Sequence, residues 1–300
     1  MIQVLALGLI AAGIYAMFAV GIVLVYRGTR VLTFAGGEVG TASLYVAAFF
    51  VTDHGAPWFV GAIAAVLFAA ALGAAFELFL VRRSVDADPV VTSILTVGLL
   101  VTLLAVELRA YGASPKTLDA PLHGGVDIGG VIVSGTQIAA IVVAAALGFG
   151  LQAALRRTDF GLGILAAADD PSAARLVGVP LSRVRLVLWS GSFALAALAA
   201  LLVEPTVGVI APGYASTLYL DGLAAAVIGR LTSLPGAVAG AVAIGLSESA
   251  ATRYLSSWDL PGMNYLVVLV LLLVTLLGRA YGPTLRRRLD GRPRLAEAAA

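Results

Sequence analysis

Long apolar runs alternate with short polar loops from Val4 to Leu277. The first run, Val4 to Tyr26, is long enough to cross a bilayer, which takes about 20 apolar residues in a helix. The second, Val31 to Thr52, holds Gly36, Gly37, Glu38 and Gly40 close together, so helix propensity is weakest where an acid enters the apolar stretch. Further runs cover Phe59 to Val81, Pro89 to Glu107, Val131 to Leu155, Leu186 to Val203, and Met263 to Leu277. Between the last two lie a short run, Leu220 to Gly229, and another, Ala237 to Ala251, separated by Arg230 and LTSLPG. The pattern predicts an all-α polytopic membrane protein of about eight or nine transmembrane helices, with broken or short helices near 31–45 and 220–252.

The basic residues orient these runs. Arginines follow the first run (Arg27, Arg30) and the third (Arg82, Arg83), and they recur at Arg156, Arg157, Arg183, Arg185 and Arg230. Asp53 to Trp58 and Thr206 to Tyr219 have no Lys or Arg, and the loop holding Arg109 and Lys116 also carries Asp119 and Asp127. By the positive-inside rule the N-terminus lies outside, the loops near His54 and His123 lie outside, and the arginine-bearing loops and the tail after Arg279 lie in the cytoplasm. The chain reads as a single domain over 1–300, with a cytoplasmic segment at 156–185 and a cytoplasmic tail at 282–300. Within 156–185, Asp170 suits a helix N-cap, Pro171 the first helical position and Gly178 a left-handed end, which predicts a short helix of about two turns.

Composition excludes other classes. The chain is 60% hydrophobic and 12% charged, whereas a soluble domain lies near ~50 and ~25 per cent. With no cysteine there is no disulfide framework or thiolate metal site, and the two histidines give no metal-ligand spacing. No cleavable signal is expected, because the start lacks a basic region and the first run is of spanning length. Neither nucleic-acid binding nor a catalytic site is indicated. The only lysine, Lys116, lies outside any GxxxxGK[ST] phosphate loop, so the chain should hold no ATP of its own. His54 and His123, in outer loops, are not placed to activate Ser190 or Ser192.

The remaining chemistry is acidic: Glu38, Glu77, Glu107, Glu204, Asp221 and Glu248. An acid at membrane depth costs about 2.5–3.5 kcal/mol, so it should face the bundle interior, a partner or water. Glu77, Glu107, Glu204 and Asp221 lie within about a turn of a span end, where reaching the interface is cheap. Glu38 and Glu248 lie deeper. There is also an internal echo, RVLTFAGGEVG at 30–40 and RLTSLPGAVAG at 230–240, of the kind that marks paired broken helices.

The run YRGTRVLTFAGGEVGTASLYVAA resembles the signature of the permease subunits of branched-chain amino acid ABC transporters, an Asn-Phe-Ala-His-Gly-Glu-like stretch after a tyrosine and a basic turn. Phe34, Ala35, Gly37 and Glu38 match, while Thr33 replaces the usual Asn and Gly36 the usual His. The stretches RRTDFGLGILAAADDPSAARLVGVPLSRVR and DGLAAAVIGRLTSLPGAVAGAVAIGLSES resemble the family's coupling region and late glycine-rich helix pair. The resemblance implies a bacterial inner-membrane permease paired with a second permease subunit, two cytoplasmic ATPases that bind the ATP, and an extracytoplasmic solute-binding protein. Its cargo would be branched-chain or related amino acids, or small amides or urea. Phe34, Gly36, Gly37, Glu38 and Glu248 would line the pathway, and Asp169, Asp170, Ala173, Ala174, Arg175 and Gly178 would couple it to the ATPases. The alternatives are an ion-coupled secondary transporter using Glu38 or Glu248, and a non-transporting scaffold.

Overall fold

A computed structural model describes residues 2–84, 88–112, 115–118, 124–127, 132–254 and 262–289. Eleven helices follow in order among them: α1 (Ile2–Thr29), α2 (Gly36–Ala48), α3 (Trp58–Phe79), α4 (Pro89–Tyr111), α5 (Gly135–Arg157), α6 (Asp159–Asp169), α7 (Pro171–Leu176), α8 (Leu181–Val207), α9 (Tyr214–Ile228), α10 (Leu234–Tyr254) and α11 (Met263–Leu289). Six of these, α1, α3, α4, α5, α8 and α10, are long and apolar enough to cross a membrane. Two shorter apolar helical stretches, Tyr214–Ile228 and Leu266–Gly278, accompany them. Two antiparallel pairings accompany the helices among the described residues: β1 (Gly125–Asp127) with β2 (Ile132–Ser134) before α5, and a single bridge between Lys116 and Ile210. His123 and residues 290–300 of the expected tail lie outside the described residues.

The bundle is built around α1, whose apolar window is 83% buried, against 11% for α4 and 12% for α5. Side chains on α4 and α5 such as Ile94, Val101, Val142 and Phe149 are exposed, an apolar surface suited to lipid rather than water. Small residues let the backbones around α1 approach closely. A Cβ on Gly245 of α10 would stand 2.5 Å from the Gly8 carbonyl of α1, and one on Gly222 of α9 would stand 2.5 Å from Phe18 Cβ. The same device joins α3 to α8, where a Cβ on Gly73 would stand 2.6 Å from the Trp189 carbonyl oxygen. Beside it, the Trp189 ring packs on Phe76 and Phe193 with centroids 5.0 and 5.9 Å away.

Both expected breaks are present. After α1 the chain turns through Arg30 in the left-handed region (φ 59), and residues 31–34 run unwound to α2. Unwound backbone in a dry bundle needs partners from elsewhere. Here α4 supplies them: Ser93 Oγ accepts from the Leu32 amide (3.2 Å) and Thr96 Oγ1 from the Phe34 amide (3.0 Å). From α9, the Tyr219 hydroxyl donates to the Thr33 carbonyl at 2.8 Å. The second break separates α9 from α10 at residues 229–233 and again turns through a left-handed arginine, Arg230 (φ 64), followed by Leu231 (φ 58).

The acids expected to reach an interface near span ends do not do so. Glu77, Glu107, Glu204 and Asp221 are all buried, because neighbouring helices and loops cover the ends on which they sit. Glu77 pairs with Arg185 of α8 at 3.1 Å, and Glu204 accepts from the Leu118 amide at 3.2 Å.

Candidate functional site

The beginnings of α2 and α9 meet. Gly36 lies under the Tyr219 ring, and a Cβ on Gly37 would stand 2.5 Å from Ser216 Cα, so only glycine permits this approach. Thr41 Oγ1 of α2 accepts from the Ala215 amide in the first turn of α9 (3.1 Å), and Ser216 Oγ of α9 donates to Glu38 Oε1 (2.7 Å). Glu38 thus stands in the first turn of its own helix and against the first turn of another. Both helix starts carry partial positive charge, which stabilises a carboxylate there. Gly213, the N-cap of α9, is left-handed (φ 78), a conformation glycine adopts without strain, and a Cβ there would stand 3.7 Å from Glu38 Oε1.

A second carboxyl completes the site. Glu107, 3% exposed on α4, sets its carboxyl against that of Glu38 and beside the Gly213 backbone. Among the described residues Glu107 meets only the Glu38 carboxyl and the Gly213 backbone, and neither Glu38 Oε2 nor the buried hydroxyl of Tyr45, which shares their field, completes a hydrogen bond. Tyr45 is held by stacking on Tyr111 (centroids 4.1 Å apart, planes 5° from parallel), and Lys116 lies over the Tyr111 ring at 5.2 Å. Lys116 also pairs with Asp53 at 2.7 Å, so it closes this end of the bundle rather than neutralising the buried acids. Two carboxyls packed this closely repel unless a proton or another cation lies between them. A pair of carboxyls is rich in acceptors, which a proton or a cationic donor satisfies.

Of the expected pathway residues, the structure brings Gly36, Gly37 and Glu38 together, and Phe34 just before them is half-buried with its amide tied to Thr96. Glu248 belongs to another locus: its Oε2 accepts from the Tyr15 hydroxyl of α1 at 2.7 Å, and Asp221 of α9 is its charged neighbour. Sequence position puts Glu107 near a span end and gives no sign that it meets Glu38; Ser216, on another helix, and Tyr45, two turns along α2 from Glu38, escape sequence reasoning. The left-handed glycine in PGYAS, just before α9, is the one local sign of a helix start there.

The segment 156–185 forms a compact unit at the arginine-rich end. Thr158 caps α6 by accepting from the Gly161 amide (3.0 Å), and α6 folds back on α5. Asp170 caps α7 by accepting from the Ser172 and Ala173 amides (2.8 and 3.0 Å), Pro171 opens the helix, and Gly178 follows it at φ 86. Ala173 and Arg175 are exposed, whereas Ala174 is buried and anchors the helix to its own chain. Asp169 is the last residue of α6. The exposed tip is apolar: Leu176 is 89% and Val177 79% exposed.

Comparison with known proteins fits this architecture. The family model described as branched-chain amino acid transport system / permease component matches residues 4–276. The chain is 28% identical to the high-affinity branched-chain amino acid transport system permease protein BraD of Pseudomonas aeruginosa, over 83% of this chain and 85% of that protein. It is 28% identical to the probable branched-chain amino acid transport permease protein LivH of Methanocaldococcus jannaschii, over 92% of this chain and 90% of that one. Among solved structures, PsaBC from Streptococcus pneumoniae in complex with Fab shares the fold at a TM-score of 0.50 and 18% identity, covering 90% of this chain and 89% of that one. With its multiple apolar helices and a family match over nearly its whole length, the chain is a multi-pass membrane protein that belongs to the branched-chain amino acid transport permease family.

Proposed function

We propose that the chain is the membrane-spanning subunit of a bacterial inner-membrane ABC importer for branched-chain amino acids. It works beside a second permease subunit, two cytoplasmic ATPases and an extracytoplasmic solute-binding protein. The observation that carries this reading is α7: a capped helix outside the apolar bundle whose Leu176 and Val177 are exposed at a polar loop. A helix this short is marginal in water without packing, and apolar side chains so exposed call for a partner's cleft. From α7 the chain enters α8, where Arg185 grips buried Glu77 of α3, so movement of the coupling segment passes into the bundle through a charged clasp. The Glu38 and Glu107 carboxyls then serve the cargo, drawing its ammonium group.

Cross-linking tests the ATPase contact. The chain has no cysteine, so a single cysteine at Leu176 is a unique handle. In native membranes it is expected to cross-link to an ATP-hydrolysing subunit, identified by sequencing, with a yield that changes on adding nucleotide. A residue-176 thiol that stays fully reactive to water-soluble maleimide, with no ATPase adduct under either condition, contradicts the coupling role.

A further inference from the structure

We infer that the arginine-rich end of the bundle carries a binding site for an anionic glycerophospholipid, with Arg27 and Arg156 holding the phosphate and a groove between α1, α5 and α10 taking an acyl chain. Two adjoining cavities carry the inference. The first, of about 180 Å³, is a mouth where Arg27, Arg156, Thr232 and Ser233 stand among leucines. The second, of about 440 Å³, is an apolar groove running along Ala16, Val20, Ala145, Val238 and Ala239. They share Gln152, Leu234 and Pro235 as a common wall, so the groove leads out of the mouth.

Charge selects the occupant. Among the described residues Arg27 and Arg156 form no ion pair, and no carboxylate lines either cavity. The start of α10 at Leu234 adds its own partial positive charge to the mouth. A site cationic at one end and apolar along the rest matches a lipid with an anionic head. Basic pockets between membrane helices on the cytoplasmic side bind such headgroups. A free phosphate would use the mouth and leave the groove empty, and a second copy of this chain would have to bring an acid to the two arginines. This inference depends on the chain lying in a membrane and not on the ATPase-driven reading, so either can fail without the other.

Native mass spectrometry of the full chain released from nanodiscs tests it, with phosphatidylglycerol and phosphatidylcholine of identical acyl chains offered together. The wild type is expected to retain phosphatidylglycerol at least about tenfold over phosphatidylcholine, a difference of ~1.4 kcal/mol. The double variant R27Q/R156Q should lose that preference. Ala145→Trp or Ala239→Trp, both at exposed positions, should fill the groove and lower retention of the lipid with the arginines intact. Millimolar glycerol 3-phosphate should not displace the lipid. Unchanged preference in R27Q/R156Q, unchanged retention in both tryptophan variants, or full displacement by glycerol 3-phosphate would each overturn the site. So would disulfide pairing between copies carrying cysteine at 145 in native membranes.

Discussion

Glu38 and Glu107 are 69 positions apart in the chain, yet their carboxyls face each other between α2, α4 and the start of α9. Glu38 Oε2 has no hydrogen-bond partner among the described residues, and around the pair lie Tyr45, Leu104 and the Gly213 backbone. Position along the sequence alone marks Glu107 as the lesser of the two, near the end of its span. The packed structure makes it an equal partner. Glu38→Gln and Glu107→Gln are therefore both expected to lower solute uptake in reconstituted vesicles, by about tenfold or more. That is the scale of losing a charge-assisted contact of ~1.5 kcal/mol. Glu248→Gln, in a separate locus with Tyr15, should have the smaller effect. Uptake unaffected by Glu107→Gln would assign that carboxyl to packing and leave the pathway elsewhere.

At the scale of elements, segment 156–185 was the most legible part of the chain, because its signals are local. Asp170, Pro171 and Gly178 define the start and end of α7 from the sequence alone, and they occupy those roles in the structure. What neighbouring residues do there depends on the fold against α5 and α8, so neither the burial of Ala174 nor the exposure of Leu176 could be read from spacing. The same holds for α6, which the sequence does not predict and which folds back on α5. Asp170→Ala removes two amide contacts and should cost about 0.5–2 kcal/mol of local helix stability. Together with Arg175→Glu, which reverses a charge on the exposed face, it should leave ATP hydrolysis running while uptake falls. Paired assays of both activities, with expression checked, decide this. Retention of full ATP-driven uptake by both variants would remove α7 from the coupling path.

The whole molecule repeats one device. Arg30 after α1 and Arg230 after α9 both take left-handed backbone, and each is followed by a short unwound stretch and a new helix. The sequence echo at 30–40 and 230–240 is thus matched by backbone conformation. Non-glycine residues rarely adopt that region, at a cost of roughly 1–2 kcal/mol. An arginine there still suits a helix end, where its charge meets the exposed carbonyls and the positive-inside rule. The order of apolar runs was legible throughout, since bilayer thickness imposes a length on each. The pairing of helices was not, because α1 meets α10 through Gly8 and Gly245, and glycines in an Ala and Gly-rich chain carry no mark of their partner. The alternation of loops predicts that single cysteines at 28, 83 and 176 are labelled only from the cytoplasmic side, and one at 54 only from outside. Labelling of 54 and 176 from the same side would break that topology.

We propose that this permease moves an amino acid using an ATPase's energy. The most direct test is leucine uptake into vesicles that contain the chain, its candidate second permease and its ATPases, with the binding protein added outside and ATP enclosed within. Uptake that requires ATP, ATPase and binding protein together, and that collapses in Glu38→Gln with the complex still assembled, is the predicted result. Equal uptake on a proton gradient with no ATPase present would contradict it.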